Sequence, residues 1–274
     1  MRVGFIGLGS QGAPMARRIV EAGFATTLWA RRAAALAPFA DTAVKTADSP
    51  AELAAVSDVV CLCVVDDADV EQVTTAADGV LAGLRAGGVV LVHSTVHPDT
   101  CRRLAERARA QGVSVLDAPV SGGASAAEKG SLLVLVGGDP EVFAKCRPLL
   151  ATYGDPVAHL GPTGAGQLAK LLNNLLFTAQ LGLAADTLAL GTRLGLDREA
   201  LGRILTRGSA RSFALERLVD AGGGLERLGA HAGGLLAKDV RLFAEIAESA
   251  ARTDDGDQGP VRRAARAALD AMGL

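Results

Sequence analysis

The sequence predicts an α/β doubly wound domain followed by an all-α domain, the two joined by a long helix. Three observations carry this expectation. From residue 2 to about residue 160, short apolar runs alternate with helical patterns, as in βαβ units built on a mainly parallel sheet. After Ala165 the strand pattern stops. From about Gly166 to Leu194 a Leu- and Ala-rich helical pattern continues, apolar nearly all round, which predicts a buried helix crossing between domains. The expected domains are residues 1–162 and 163–274.

The chain begins with an apolar strand, residues 2–6, that ends in Gly7-Leu8-Gly9-Ser10-Gln11-Gly12. A helical pattern from Ala13 to Ala22 follows, with Pro14 in its first turn, where a missing N–H costs little. Gly23 closes it, and Ala25–Trp29 reads as a second strand. A GxGxxG alone is weak in a glycine-rich chain, but strand, glycines, helix and strand in that order make a Rossmann-type dinucleotide site. The helix N-terminus faces the phosphates. An NAD site wants an acid about 20 residues after the motif, to accept from the ribose hydroxyls. This chain has Trp29-Ala30-Arg31-Arg32 there and no acid until Asp41. A guanidinium pairs with a 2′-phosphate in fork geometry, so the expected cofactor is NADP(H) in preference to NAD(H).

Further strands are expected at Val59–Val65, Val89–His93, Val113–Leu116, Leu132–Val136 and Pro156–His159, with helices at Pro50–Val56, Pro98–Gln111 and Pro140–Leu150. Ligands of such sheets bind beyond the carboxyl ends of the strands. The segments to inspect are therefore Val65-Asp66-Asp67, Ser94-Thr95 and Asp117–Gly123. In the last of these, Ser121 offers a hydroxyl and Gly122-Gly123 lets backbone N–H groups approach an anion. A flexible polar loop is the competing reading of that segment.

The chain has 274 residues, of which 49% are hydrophobic and 21% charged, so a packed core is expected and global disorder is not. A net charge of -2 gives no global attraction to nucleic acid or anionic membrane. No uninterrupted apolar run approaches the roughly 18 residues of a membrane span, and the N-terminus has no signal-peptide core. A cytoplasmic location is expected. The four cysteines and four histidines show no metal-ligand spacing, so no metal is expected and the cysteines read as reduced, mostly buried thiols.

The segment 161–174, GPTGAGQLAKLLNN, joins the two halves. Three glycines and a proline lead into strong helix formers. Lys170 and Asn174 stand four residues apart, about one turn, and share a helix face. Alone, this reads as a surface lysine on an amphipathic helix. Directly after a βαβ domain, it reads as a glycine hinge followed by a helix that presents a proton donor.

Three motifs in this order, GFIGLGSQGAPMA, DAPVSGG (117–123, continuing through Gly130) and GPTGAGQLAKLLNN, together with Lys238-Asp239 in LLAKDVRLF, resemble those of the β-hydroxyacid dehydrogenase family. The resemblance spans nearly the whole chain. It implies hydride transfer between a nicotinamide cofactor and a small β-hydroxy acid, or its semialdehyde or keto acid. It also implies Lys170 as the catalytic lysine, Ser121, Gly122 and Gly123 as the carboxylate anchor, and Asn174 as the residue that orients the substrate. Thr95 would lie near the nicotinamide ribose, Val64 and Val65 along the cofactor, and Lys238 on the cofactor side. Asp239 would be substrate-side or helix-anchoring, Phe213 an aromatic near the substrate, and Arg31 the partner of the 2′-phosphate. Gln11 and His93 depart from the pattern, standing where Met and Asp are common in the family.

Lys170 is expected to act as general acid in reduction and general base in oxidation. A free lysine has a pKa of about 10.4, so oxidation near neutral pH calls for desolvation or a neighbouring positive charge. Two alternatives remain. Imine reductases share the fold but usually carry Asp or Tyr in place of the lysine. A non-catalytic NADP-binding regulatory module would typically lose the lysine or gain a basic extension. In the second half, Asp197 is expected to cap a helix, with further helices at Leu235–Ala251 and Pro260–Met272 and a polar linker between these two, at Arg252–Gly259. So much apolar helix in about 110 residues predicts a homodimer or homotetramer.

Overall fold

Val- and Leu-rich runs of four to six residues supply the strands at Val59–Leu62, Val89–Val92 and Leu132–Gly137, because β-branched side chains fit a pleated surface covered on both faces. The computed structural model describes residues 1–250 and 259–274. The expected linker falls almost wholly outside them. The chain divides into two compact units, Met1–Lys170 and Leu171–Leu274.

The first unit runs β1 (Arg2–Ile6), α1 (Gly12–Glu21), β2 (Ala25–Trp29), a 3₁₀ segment (Ala33–Phe39), β3 (Lys45–Thr46), α2 (Pro50–Ala55) and β4 (Val59–Leu62). It continues through α3 (Asp67–Thr75), α4 (Val80–Gly83), β5 (Val89–Val92), α5 (Pro98–Arg109), β6 (Ser114–Asp117), β7 (Val120–Ser121) and α6 (Gly123–Glu128). The last elements are β8 (Leu132–Gly137), α7 (Pro140–Leu150), β9 (Gly154–Gly161) and the start of α8 (Ala165–Arg193).

The strands form one sheet in the order β3-β2-β1-β4-β5-β6-β8-β7, with β9 paired to β8. Pairing is parallel from β3 through β6 and between β8 and β9. It is antiparallel where β8 meets β6 and β7. The chain builds outward from β1 in one direction and then from β4 in the other. The switch point therefore lies between the carboxyl ends of β1 and β4, where such sheets bind ligands. One apolar cluster packs Met15, Ile19, Leu149 and Tyr153 around Phe5 and Leu28. The other packs Leu53, Val70, Leu104 and Ala108 around Ile6 and Val60.

The sequence reading extended β4 to Val65; the strand ends at Leu62. Cys63 N still donates to Ile6 O, but Val64 N leaves the ladder and donates to Ser94 Oγ instead. The two-residue strands β3 and β7 and the 3₁₀ segment were not foreseen. In place of a polar loop after Ser121, α6 begins directly at Gly123.

The second unit contains the remainder of α8, then α9 (Arg198–Leu205), α10 (Phe213–Asp220), α11 (Leu225–Leu228), a π turn (Gly229–Gly233), α12 (Gly234–Ala250) and α13 (Pro260–Met272). Asp197 caps α9, its Oδ1 accepting from Ala200 N at 2.7 Å, as expected. Leu181, Leu188, Leu218 and Leu269 form its main apolar cluster.

The expectation that α8 is buried on every side needs correction. Leu172, Leu176, Leu183 and Leu190 are exposed. At 3.6 residues per turn they fall within about 40° of one another around the axis. By length and composition alone α8 is also apolar enough to cross a membrane, the one such helix among the described residues, with 33% of its most apolar window buried. Its buried polar residues, Gln167, Lys170, Asn174 and Thr178, mark faces that meet protein.

Candidate functional site

The three glycines after β1 do three different jobs. Gly7 has φ +100°, and a Cβ there would stand 2.1 Å from Cys63 O, so only glycine makes this turn. Gly12 opens α1, and a Cβ there would stand 1.9 Å from Gly7 O, so the helix starts hard against the turn. Gly9 has ordinary φ and open space where a Cβ would be. Nothing in the fold itself requires glycine at that position, and its absent side chain leaves the backbone open to close approach by a ligand. Gln11 is the N-cap residue of α1, and its Nε2 is buried without a hydrogen-bond partner within the protein. An orphan donor beside an open glycine at a helix N-terminus fits a bound pyrophosphate.

The remaining residues singled out in the first unit stand at the carboxyl ends of neighbouring strands. Val64 is part-buried and Val65 exposed after β4, and Thr95 follows β5. Ser121 lies in β7, in register with Leu133. Gly122 (φ +129°) and Gly123 (φ +74°) make the sharp turn into α6, and a Cβ on Gly122 would meet Ala126 at 2.6 Å. Arg31 is exposed beyond β2 and donates through Nη2 to Asp69 Oδ1 at 2.7 Å. That ion pair uses one of five guanidinium N–H groups.

Two buried polar centres here were not foreseen. His93, after β5, donates from Nδ1 to Ala118 O at 2.7 Å, and its Nε2 accepts from Tyr153 Oη at 3.1 Å. The carbonyl fixes the tautomer, and burial lowers the imidazole pKa to about 4. Asp117, at the end of β6, accepts from Gly164 N at 2.7 Å and Gln167 N at 2.9 Å. Burial raises its pKa, and these backbone N–H groups oppose the rise. Gln167 in turn spans Ser94 and Val96. Gln167 lay inside the quoted 161–174 segment and Asp117 inside the 117–123 motif, but their partners are 47 to 73 residues away, and no local pattern pairs them.

The glycines leading into α8 are not slack. Gly161 has φ +136° and Gly164 φ +95°, and a Cβ on Gly166 would stand 2.3 Å from Leu135 O. Lys170, in the second turn, is 8% exposed.

In the second unit, Asn174 and Asp239 are both buried. Asn174 Nδ2 donates to Asp239 Oδ2 at 2.6 Å, and Asn174 Oδ1 accepts from Asn173 Nδ2 at 3.0 Å. Lys238 Nζ is ion-paired to Asp239 Oδ1 at 3.1 Å, outside hydrogen-bond geometry. Asp239 thus anchors the Asn174 amide. Phe213 begins α10, is largely exposed, and packs on Phe177 with ring centroids 5.9 Å apart. The cysteines are free thiols; burial pushes Cys63 up to about 12 and Cys146 up to about 11, which keeps both neutral. Among the described residues no His/Cys/Asp/Glu group is arranged to hold a metal.

Residues 2–161 match the model of the NAD-binding domain of 6-phosphogluconate dehydrogenase. Residues 164–253 match that of the NAD-binding region of NADP-dependent 3-hydroxyisobutyrate dehydrogenase. The NAD-dependent L-serine dehydrogenase of Pseudomonas aeruginosa is 36% identical, over 91% of this chain and 86% of its own. The chain belongs to the β-hydroxyacid dehydrogenase family. The 3-hydroxyisobutyrate dehydrogenase of the same organism is also 36% identical, over 78% of this chain and 72% of its own. A solved structure of Mycobacterium tuberculosis 3-hydroxyisobutyrate dehydrogenase with L-serine covers 98% of this chain and 92% of its own, with a TM-score of 0.82 at 26% identity. This β-hydroxyacid dehydrogenase is therefore an NAD(P)-dependent oxidoreductase acting on CH–OH groups of hydroxy acids.

Proposed function

We propose that the chain interconverts a small β-hydroxy acid and its semialdehyde or keto acid, with Lys170 as the proton donor and acceptor. The observation that carries this reading is a buried lysine on the helix face it shares with a buried asparagine, whose amide is fixed by Asp239. Lysines are seldom buried, and buried titratable groups gather at functional sites. Bound NAD(P) supplies the hydride carrier. Lys170 protonates the nascent alkoxide in reduction and takes the hydroxyl proton in oxidation. Ser121 Oγ and the N–H groups of Gly122 and Gly123 hold the substrate carboxylate, Asn174 orients its hydroxyl or carbonyl, and Phe213 limits its side chain.

NADP(H) is the preferred cofactor in this reading. Arg31 stands beyond β2 with no acid between Trp29 and Asp41, and its guanidinium has donors beyond the one given to Asp69. The exposed Leu172, Leu176, Leu183 and Leu190 of α8 suit a second copy of the chain, giving a homodimer or homotetramer in the cytoplasm.

A panel of small aldehydes, 2-keto acids and 3-hydroxy acids, each followed by nicotinamide absorbance with both cofactors, tests the reading. Turnover confined to carboxylate-bearing carbonyls and their alcohols is expected. Turnover of cyclic imines, or silence across the panel, contradicts it.

A further inference from the structure

A lysine carries its charge on a flexible four-carbon stem, and a proton donor has to meet its acceptor within a fraction of an ångström. Something must therefore fix the backbone from which Lys170 projects. The first turn of α8 is tied by hydrogen bonds to two strand ends, one through its own Gln167 and one through Asp117. Gln167, one turn before Lys170, is fully buried. Its Oε1 accepts from Val96 N at 3.1 Å, and its Nε2 donates to Ser94 O at 2.8 Å. Ser94 Oγ accepts from Val64 N at 2.9 Å. Asp117 closes the set by accepting from Gly164 N and Gln167 N. The segment after β5 and the end of β6 thus converge on one helical turn, and Ser94 ties in the segment after β4. Two of those segments carry Val64 and Thr95, the residues read as lining the cofactor.

We propose that Gln167 and Asp117 are positioning residues that lock the first turn of α8 to the cofactor-lining segments and so set where Lys170 Nζ stands relative to the reacting carbon. The proposal rests on Lys170 being the proton donor. The chemistry of position 167 suits an amide. Val96 N–H needs an acceptor and Ser94 C=O needs a donor, both buried; an amide serves both, an ionised carboxylate one, and an aliphatic side chain neither.

The test is steady-state kinetics of the full chain carrying Gln167→Leu, Gln167→Glu, Lys170→Ala and, as a stability control in the same unit, Leu104→Ala. Leu104 is buried in an apolar cluster, and its aliphatic side chain makes none of these hydrogen bonds. For Gln167→Leu, kcat falls about ten- to hundredfold with the KM for cofactor little changed. Leu104→Ala lowers the melting temperature while kcat stays at the wild-type value below the transition. Gln167→Glu gives a reading within a single variant. Ionised, it cannot donate to Ser94 O; protonated, it restores both bonds. Its kcat therefore gains on wild type as pH falls. The titratable groups facing position 167 are Asp117 at the end of β6 and Cys101 on α5, whose thiol burial holds protonated, with Lys170 on α8 itself.

A wild-type kcat in Gln167→Leu, or a loss that only tracks the folded fraction, overturns the proposal. So does a pH profile of Gln167→Glu that parallels wild type. If Lys170→Ala is inactive while both Gln167 variants are fully active, only the positioning role fails. If Lys170→Ala turns over normally, the proton-donor reading fails and takes the positioning role with it.

Discussion

The two units solve the burial of polar groups in opposite ways. In the first, four of the buried polar residues, His93, Ser94, Asp117 and Gln167, gather at the carboxyl ends of β5 and β6 and in the first turn of α8. In the second, the buried polar residues lie on α8 and α12, at Asn174, Thr178 and Asp239, and most of the interior is leucine and alanine. The difference follows from backbone chemistry. A helix satisfies its own N–H and C=O groups except at its ends, so helices can be joined by apolar contact alone. A parallel sheet leaves unpaired groups where its strands stop, and these must find side chains. The polar plugs that satisfy them also fix the loops around the ligand crevice. Position is set by directional bonds in the first unit and by less specific apolar packing in the second.

The predictions that sharpen this contrast run from large effects to small. Gly7→Ala puts a Cβ on a carbonyl at positive φ, and should cost about 3 kcal/mol or more of stability along with cofactor binding. Gly9→Ala has room in the protein and should melt like wild type while losing cofactor affinity; equal melting losses in the two would remove the distinction between a fold glycine and a ligand glycine. Calorimetry with and without NADPH reads both.

His93 gives a pH prediction. Its folded pKa, lowered by burial to about 4, lies below that of the unfolded chain. The unfolded state therefore binds more protons between the two values, and stability is lost as pH falls through that window. The loss totals roughly 3 kcal/mol. Denaturant titrations from pH 7 to 4 on wild type and His93→Phe check it: the variant should lack this part of the slope, and identical slopes would contradict a buried neutral imidazole.

Leu176→Arg and Leu183→Arg test the outer face of α8. Sedimentation should show dissociation, with monomer stability within about 0.5 kcal/mol of wild type, as for exposed sites. An unchanged assembly would place the contact elsewhere. Arg31→Ala should weaken NADPH about tenfold relative to NADH, a charge-assisted pair being lost. An unchanged preference would mean that Arg31 serves only its ion pair with Asp69.

The same contrast explains what could be read from the chain alone. β1, α1 and the three glycines were legible because each job there is local: a tight turn, an open approach, a close helix start. The strands at β5 and β8 were legible as unbroken apolar runs. β3 and β7 were not, since two residues carry no period. The bonds of Gln167 to Ser94 and of Asp117 to Gly164 were invisible because long-range pairing leaves no mark on spacing. On α8, composition predicted burial on every side, but apolar character alone does not say whether a chain's own core or another surface covers it. The candidate site was legible as motifs, while the hydrogen bonds that hold those motifs in place came only with the fold.

The most direct measurement is Lys170→Ala, followed by NADPH binding through fluorescence and by turnover of whichever substrate from the panel is fastest. Binding should match wild type, and kcat should fall by about two to four orders of magnitude, the contribution of a positioned general acid. Turnover within a fewfold of wild type, with the protein folded and cofactor bound, would contradict the account at its centre.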